Sequence, residues 1–292
     1  MKNMYDTERC RTLFDDDLEG FKNDLIFKEI QKNGIYDRDE LTILTTIFTM
    51  MPSKRAALDI GSNIGNHCSL FSRYFQETHA IEPHLEVFQV LCRNIERNAW
   101  KAKAYNVGFS DQSGVLELFI SDNGNLGATS LSVKSGNSTS DVSVTTGDAF
   151  VRENIFTPID YIKIDVETHE GQVIKGLATT IKNFQPLITL EWNNQMTIDY
   201  FRRHNIFTEE LKGYSQLAMY SRWSRDLWPG IIGKMRRSLN KRLTPVKPGY
   251  SLYLSAFKEN KFSASVVLIP PKYTALIAPA QAAHLPPHPC TE

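Results

Sequence analysis

The chain has 292 residues, with 33 Lys+Arg balanced by 33 Asp+Glu, 41% hydrophobic and 23% charged residues. That composition is globular and excludes a disordered or fibrous protein, and the zero net charge argues against a broad nucleic-acid surface. The balance is uneven: residues 1–50 carry 11 acids and 7 bases, whereas residues 222–247 carry 8 bases and one acid.

Residues 8–50 read as helical from apolar spacing through Leu13, Leu18, Phe21, Leu25 and Ile30, then Leu41, Leu44 and Ile47. Residues 1–35 are expected to be a helical cap. Its first 17 residues lack the apolar stretch of a secretory signal. The most apolar run, Leu41–Met51, contains four Thr and is too short to span a bilayer. A cytoplasmic location is expected. Cys10, Cys68, Cys92 and Cys290 show no paired spacing and read as free thiols.

A short buried strand, Ala56–Ile60, ends in Gly61, and helical spacing follows through Ile64, Cys68 and Phe71. A second strand, His79–Glu82, precedes a helix through Val87, Leu91 and Ile95, and Ala104–Phe109 is a third strand candidate. Alternating short strands and helices predict an α/β fold with a mostly parallel sheet covered on both faces. Gly114–Ser121 then alternates at period two and pairs with Val142–Thr146 as an excursion hairpin. The 21 residues Ser121–Asp141 between them include 14 Ser, Gly, Asn or Thr, a length and polarity that suit either a functional or a disordered loop. The rhythm resumes at Tyr161–Val166, a helix from Gly171 and the strand Leu187–Trp192. Tyr250–Ala256 and Ala264–Ile269 are late strands. The main domain is expected over 36–275. From Pro270 to Glu292, 11 of 23 residues are Pro or Ala, and 276–292 is expected to be a disordered tail.

The sharpest local signal is LDIGSNIGN, Leu58–Asn66. Glycines at Gly61 and Gly65 allow a ligand to approach the backbone, and the helix that follows offers unpaired N–H groups. Asn63 and Asn66 supply turn conformations and side-chain hydrogen bonds. The dinucleotide fingerprint G-x-G-x-x-G is absent, and Asp59 suits a positively charged ligand better than a pyrophosphate. Glu82, 21 residues after Gly61, is placed to accept hydrogen bonds from both hydroxyls of a ribose. Asp111 reads either as a partner for an adenine amino group or as a turn former.

Five blocks, LDIGSNIGN, AIEPHLEVFQVLCRNI, NVGFSDQSG, GATSL and YIKIDVETHEGQVIKG, occur in the order of the FkbM family of S-adenosylmethionine-dependent methyltransferases, which this sequence resembles over Ala56–Trp192. The resemblance implies a class I methyltransferase fold, Rossmann-like, with a seven-stranded sheet. Its cofactor would be S-adenosylmethionine, with Asp59, Gly61, Ser62, Asn63, Gly65 and Asn66 around the amino-acid end, Glu82 on the ribose and Asp111 near the adenine. Family members methylate hydroxyls of sugars, polyketides or other secondary metabolites. One departure is visible: the family block reads K-I-D-V-E-G-x-E, and Thr168 stands here in the glycine's place, followed by His169. Were positive φ needed there, Thr would be strained.

Methyl transfer needs an aligned acceptor oxygen and a group to take its proton. Asp165 and Glu167 are the candidate orienting or base groups, and His169 is the second candidate base. Glu167 and Glu170 equally read as acids capping the next helix. Asp165, Glu167, Glu191, Asn193 and Asn194 are oxygen donors of a kind Mg²⁺ accepts, but no recognised ligand spacing supports a metal and none is assigned. Zinc is disfavoured because no Cys/His pair has ligand spacing.

The basic segment 220–247 reads as a surface helix with an apolar stripe or as an interfacial element. On the second reading, Trp223, Trp228 and the basic 234–242 helix make a peripheral membrane contact, and the acceptor is lipid-linked or phosphorylated. The expected function is O-methylation of a sugar, glycan or secondary metabolite, with no nucleic-acid partner. A non-catalytic S-adenosylmethionine-binding module and a NAD-dependent oxidoreductase are the rivals; the latter would need a G-x-G-x-x-G loop and a Tyr-x-x-x-Lys pair, both absent.

Overall fold

The computed structural model describes residues 5–120, 129–132, 138–221 and 252–276. The basic aromatic segment, most of the polar loop and nearly all of the expected tail therefore lie outside the described residues.

The N-terminal expectation of continuous helix is corrected. Strands β1 (Thr7–Arg11) and β2 (Asp17–Phe21) form an antiparallel hairpin, and helix begins only at α1 (Leu25–Asn33) and α2 (Arg38–Met50). The Thr12 hydroxyl accepts from the N–H groups of Phe14 and Asp16, and Asp15 takes a left-handed φ of 63°. That local turn competes with helix, and tertiary pairing decides the outcome. The Asn94 side chain accepts from Glu19 N at 2.8 Å and donates to Glu19 O at 2.9 Å, while Arg93 and Arg97 pair with the Glu19 carboxylate. α1 starts where Asp24 accepts from Phe27 N and stops at Gly34, whose φ is 75°.

The main sheet begins with β3 (Ala56–Ile60), followed by α3 (Asn66–Tyr74), β4 (Glu77–Ile81), α4 (Leu85–Arg97) and β5 (Ala102–Tyr105). The third strand expected over 104–109 is split. After β5 the chain leaves the main sheet, and β6 (Gly108–Ser110) pairs with β8 (Ser138–Thr146), which also pairs antiparallel with β7 (Gly114–Ile120) as expected. Next come α5 (Gly147–Asn154), β9 (Ile159–Ile164), α6 (Glu170–Gly176), α7 (Ala178–Phe184), β10 (Leu187–Trp192) and α8 (Gln195–Arg203). Strands β11 (Ser215–Ser221), β12 (Leu252–Ala256) and β13 (Ser263–Ile269) complete the sheet.

Its order is β12-β11-β13-β10-β9-β3-β4-β5. The five strands from β10 to β5 are parallel, and β13 runs antiparallel between β10 and β11. Against the seven strands expected, β12 adds an eighth at the edge, antiparallel to β11. Both faces are covered. Ile162, Ile164, Ile188 and Leu190 share one apolar cluster with Val173, Ile174 and Phe201 of the helices. Tyr161, Leu187 and Val267 share another with Phe48 and Phe71 of α2 and α3. Period-two alternation explains the split and also carries Asp59, Lys163 and Glu191 onto the second face as the strands reach their carboxyl ends.

Cys10, Cys68 and Cys92 are free thiols. Among the described residues, no helix is long and apolar enough to cross a membrane.

Candidate active site

A cleft opens over the carboxyl ends of β3, β4, β9 and β10, where open α/β sheets hold ligands. Its floor is the glycine loop. Gly61 has φ 81°, and a Cβ there would lie 1.8 Å from the carbonyl oxygen of Asp165, so only glycine lets β3 and β9 end side by side. Gly65 has φ 99° and would bring a Cβ to 2.7 Å from Trp100. Asn63 adopts a left-handed φ of 50°, its side chain accepting from Ile64 N at 2.7 Å. Ser62 donates its hydroxyl to Asp59 O at 2.7 Å. Asn66 exchanges two hydrogen bonds with the backbone of Tyr36, which ties the α1–α2 connection to the rim.

Glu82 is buried on the cleft wall and accepts from Asn63 N at 3.0 Å and His84 N at 2.9 Å. Burial pushes its pKa up to about 7 against the pull of those two hydrogen bonds. Ile81, Pro83, Phe109, Leu118 and Leu131 add an apolar lining to the same cleft. Asp111 is not part of it. It lies half-buried beside Ser110, whose hydroxyl donates to it at 3.2 Å, so the adenine role read from sequence has no geometric support. Asp59 is fully buried and sits outside the cleft lining; its nearest charge is Lys163, 4.0 Å away.

At the other end, Asp165, Glu167 and Glu191 converge, one oxygen from each lying within 4.8 Å of the others. Lys163 bonds Asp165 at 2.9 Å and, among the described residues, is the sole Lys or Arg lining either this cleft or the cavity that adjoins it. Burial, then the Asp165 and Glu170 charges, push the Glu167 pKa up to about 7. Burial, then the Asp165, Glu167 and Glu170 charges, raise Glu191. Burial also raises Asp59, to about 6, with Lys163 opposing.

The turn after β9 is strained. Glu167 and Thr168 have φ of 50° and 81°, so Thr168 stands in a conformation that a β-branched residue rarely adopts. The strand ends at Ile164, and this turn, rather than continued extension, brings Glu167 beside Asp165. Ser130 holds the turn by donating to Glu167 O at 2.6 Å, and Glu170 accepts from Thr168 N at 3.2 Å. Glu170 is fully buried and also accepts from Thr197, so it is a structural acid.

His169 is separated from the cleft. Its Nε2 lies 3.0 Å from the Ser110 hydroxyl and its Nδ1 2.7 Å from that of Ser132. Burial holds its pKa down to about 4. A neutral imidazole matches two hydroxyls, one as donor and one as acceptor, so His169 latches the 130–132 segment to β6 instead of serving as a base. Asn194 is also spoken for, capping α8 through Thr197 N at 2.8 Å.

Three contributors are not evident from sequence: Lys163, His67, and the Tyr36–Asp37 pair on the α1–α2 connection. Lys163 carries a signal, a lone cation inside the apolar strand IDYIKI. His67 directly follows the glycine-loop motif, whereas the Tyr36–Asp37 pair is brought in by a chain segment remote from it.

The chain is similar to known proteins in sequence and fold. The Methyltransferase FkbM domain model matches residues 59–215. The hexuronic acid methyltransferase AglP of Haloferax volcanii is 29% identical over 128 residues, 43% of this chain and 51% of that protein, so the match spans about half the length of that relative. Among solved structures, the methyltransferase FkbM from Methylobacillus flagellatus superposes with a TM-score of 0.44 and 13% identity, covering 74% of this chain and 43% of the other. An O-methyltransferase from Bacillus cereus gives 0.41 and 12%, covering 79% of each. The glycine loop, the acid after β4 and the carboxylates after β9 all fall inside the matched family domain, and this chain belongs to the FkbM family of methyltransferases.

Proposed function

We propose that this chain binds S-adenosylmethionine in the cleft and methylates a hydroxyl oxygen of a sugar or glycan. The observation that carries the reading is one cavity with a buried acid beside the glycine loop at one end and a carboxylate pair beside a strained turn at the other. The cofactor fits this lining. The Glu82 carboxylate suits the two ribose hydroxyls, the apolar side chains around Phe109 suit an adenine ring, and the Gly61 turn admits the amino-acid end against backbone. When bound, S-adenosylmethionine supplies an electrophilic methyl group on a sulfonium.

The chain's own groups then align and deprotonate the acceptor. Asp165, held by Lys163, orients the acceptor by accepting a hydrogen bond from a neighbouring hydroxyl of the sugar. Ionised Glu167, with a pKa near neutrality, accepts the hydrogen bond of the reacting hydroxyl and would take its proton as the methyl C–O bond forms and the methyl–sulfur bond breaks, the neutral thioether leaving. The sugar class draws support from AglP, whose name specifies a hexuronic acid. Asp37, Glu40, Asp165 and Glu191 around a single Lys163 favour a neutral hydroxyl over a second anion as the reacting group. Calorimetry with S-adenosylmethionine and with NAD tests the cofactor, and transfer of a labelled methyl group to sugar acceptors tests the reaction. Binding of NAD in preference to S-adenosylmethionine would overturn the reading.

A further inference from the structure

We propose that Asp165, Glu167 and Glu191 form a divalent-cation site for a hard ion of the Mg²⁺ or Mn²⁺ kind, at the acceptor end of the cleft. Each acid gives the ion one oxygen, so Glu167 keeps its second oxygen for the acceptor's proton; in the use it assigns to the ion, holding acceptor oxygens, the proposal rests on the methyl-transfer reading, whereas the existence of the site does not.

Three carboxylates reach this point from the ends of two adjacent, hydrogen-bonded strands, β9 and β10, and the turn between β9 and α6. The only ammonium among the described lining residues bonds Asp165. Glu191 receives the Asn193 side-chain amide on Oε1, but its Oε2 is buried with no hydrogen-bond partner among the described residues. A buried carboxylate oxygen without a donor is costly, and a metal ion satisfies it directly.

Independent observations beside the cluster point to a ligand there. His67, only 7% exposed, projects from α3 onto the wall shared by the cleft and the adjoining cavity, and its Nε2 has no partner among the described residues. A neutral ring nitrogen in that position suits the water shell of a bound ion. Asp59 is completely buried, and neither of its carboxylate oxygens has a hydrogen-bond partner among the described residues. Lys163 lies between the two acids, 2.9 Å from Asp165 and 4.0 Å from Asp59. A divalent ion on Asp165 would release the ammonium to Asp59, about 1 Å closer than it now stands, so both buried charges stay paired. The cluster thus has a second resting place for the cation that an incoming metal displaces.

The donor set is all oxygen, which selects Mg²⁺, Mn²⁺ or Ca²⁺ over zinc or copper. Three protein ligands leave coordination positions for water or for neighbouring oxygens of a sugar.

The test is titration of the EDTA-treated, dialysed full-length chain with Mn²⁺, with free ion followed by electron paramagnetic resonance. One saturable site with Kd at or below about 1 mM is expected, weakened at least tenfold in Glu191→Gln and in Glu167→Gln, and unchanged in the surface control Glu153→Gln. Circular dichroism establishes that each variant is folded. No saturable binding, or equal affinity in the Gln variants and the wild type, would overturn the site. Calorimetry with S-adenosylhomocysteine in the absence of metal separates the two readings. Nucleoside binding without Mn²⁺ binding rejects the ion and keeps the cofactor, and Mn²⁺ binding without nucleoside binding does the reverse.

Discussion

The Glu82 carboxylate accepts a hydrogen bond from Asn63 N at 3.0 Å, so the acid that follows one strand closes the loop that follows its neighbour. β3 and β4 are parallel and in register over Ala56–Ile60 and Glu77–Ile81, which places their carboxyl ends side by side. The cleft over the strand ends is built on that contact.

Glu82 makes cofactor affinity depend on pH. On the proposed function, the ionised carboxylate accepts from two ribose hydroxyls, and protonation removes acceptor capacity. With its pKa near 7, affinity for S-adenosylhomocysteine rises between pH 6 and pH 8. In Glu82→Gln, calorimetry is expected to show affinity reduced by about tenfold or more, about 1.4 kcal/mol per decade, and no such pH dependence. A flat profile in the wild type contradicts the assignment.

Stability of the unliganded chain moves the opposite way. Glu82, Glu167 and Asp59 all have folded pKa values raised above those of the unfolded chain, so the folded state holds protons that the unfolded state has lost. Their stabilising contribution is complete below about pH 4 and disappears as pH rises through about 6 to 7. His169 contributes in the other sense: its depressed pKa favours the fold above about pH 6.5 and less as pH falls toward 4. Thermal melts from pH 5 to pH 8 should show Tm falling on the alkaline side, with a smaller fall in Glu167→Gln.

Glu167 is the candidate base, and Glu167→Gln is expected to lower kcat by about a hundredfold while S-adenosylhomocysteine affinity stays within about threefold. The limb of the kcat profile near pH 7 should vanish with it. A His169→Ala variant that removed this limb, while Glu167→Gln kept it, would make His169 the base and Glu167 a structural group.

Thr168 carries left-handed strain at φ 81° where glycine would carry none. Thr168→Gly is expected to stabilise the chain by about 1 kcal/mol, the relief exceeding glycine's greater unfolded-state entropy. Differential scanning calorimetry would register this as a Tm rise of about 2 °C.

Lys163 balances the buried Asp59 carboxylate and the half-exposed Asp165. Lys163→Met leaves Asp59 fully buried without its neighbouring charge, and a loss of about 3 kcal/mol or more is expected in urea unfolding. Lys163→Arg should recover part of it, since the charge is kept while the larger guanidinium fits the site less well.

Much of the cleft is legible in the sequence because short motifs encode their own backbone needs. Gly61 and Gly65 announce positive φ, Glu82 announces a strand-end acid, and Thr168 in a glycine's place announces strain, all of which the structure contains. What misleads is equally local. Leu13, Leu18 and Phe21 fit a helical spacing, yet Asn94 of α4 and Asn98 just after it offer the backbone of β2 better partners than a helix would. His169 looks like a base beside two acids, and only the approach of Ser110 and Ser132, 59 and 37 residues away, turns it into a latch.

The amino-acid order alone determined the alternation of strand and helix, the glycine turn and the family to which the chain belongs, because each is written in residues close along the chain. The tertiary structure decided which charges meet. Strand register set Lys163 opposite Asp59, the β9 and β10 ends brought Glu191 to Asp165, and the α1–α2 connection carried Tyr36 and Asp37 to the same rim. Those meetings depend on sheet order and loop path, and electrostatic energy follows distance in space rather than separation in sequence.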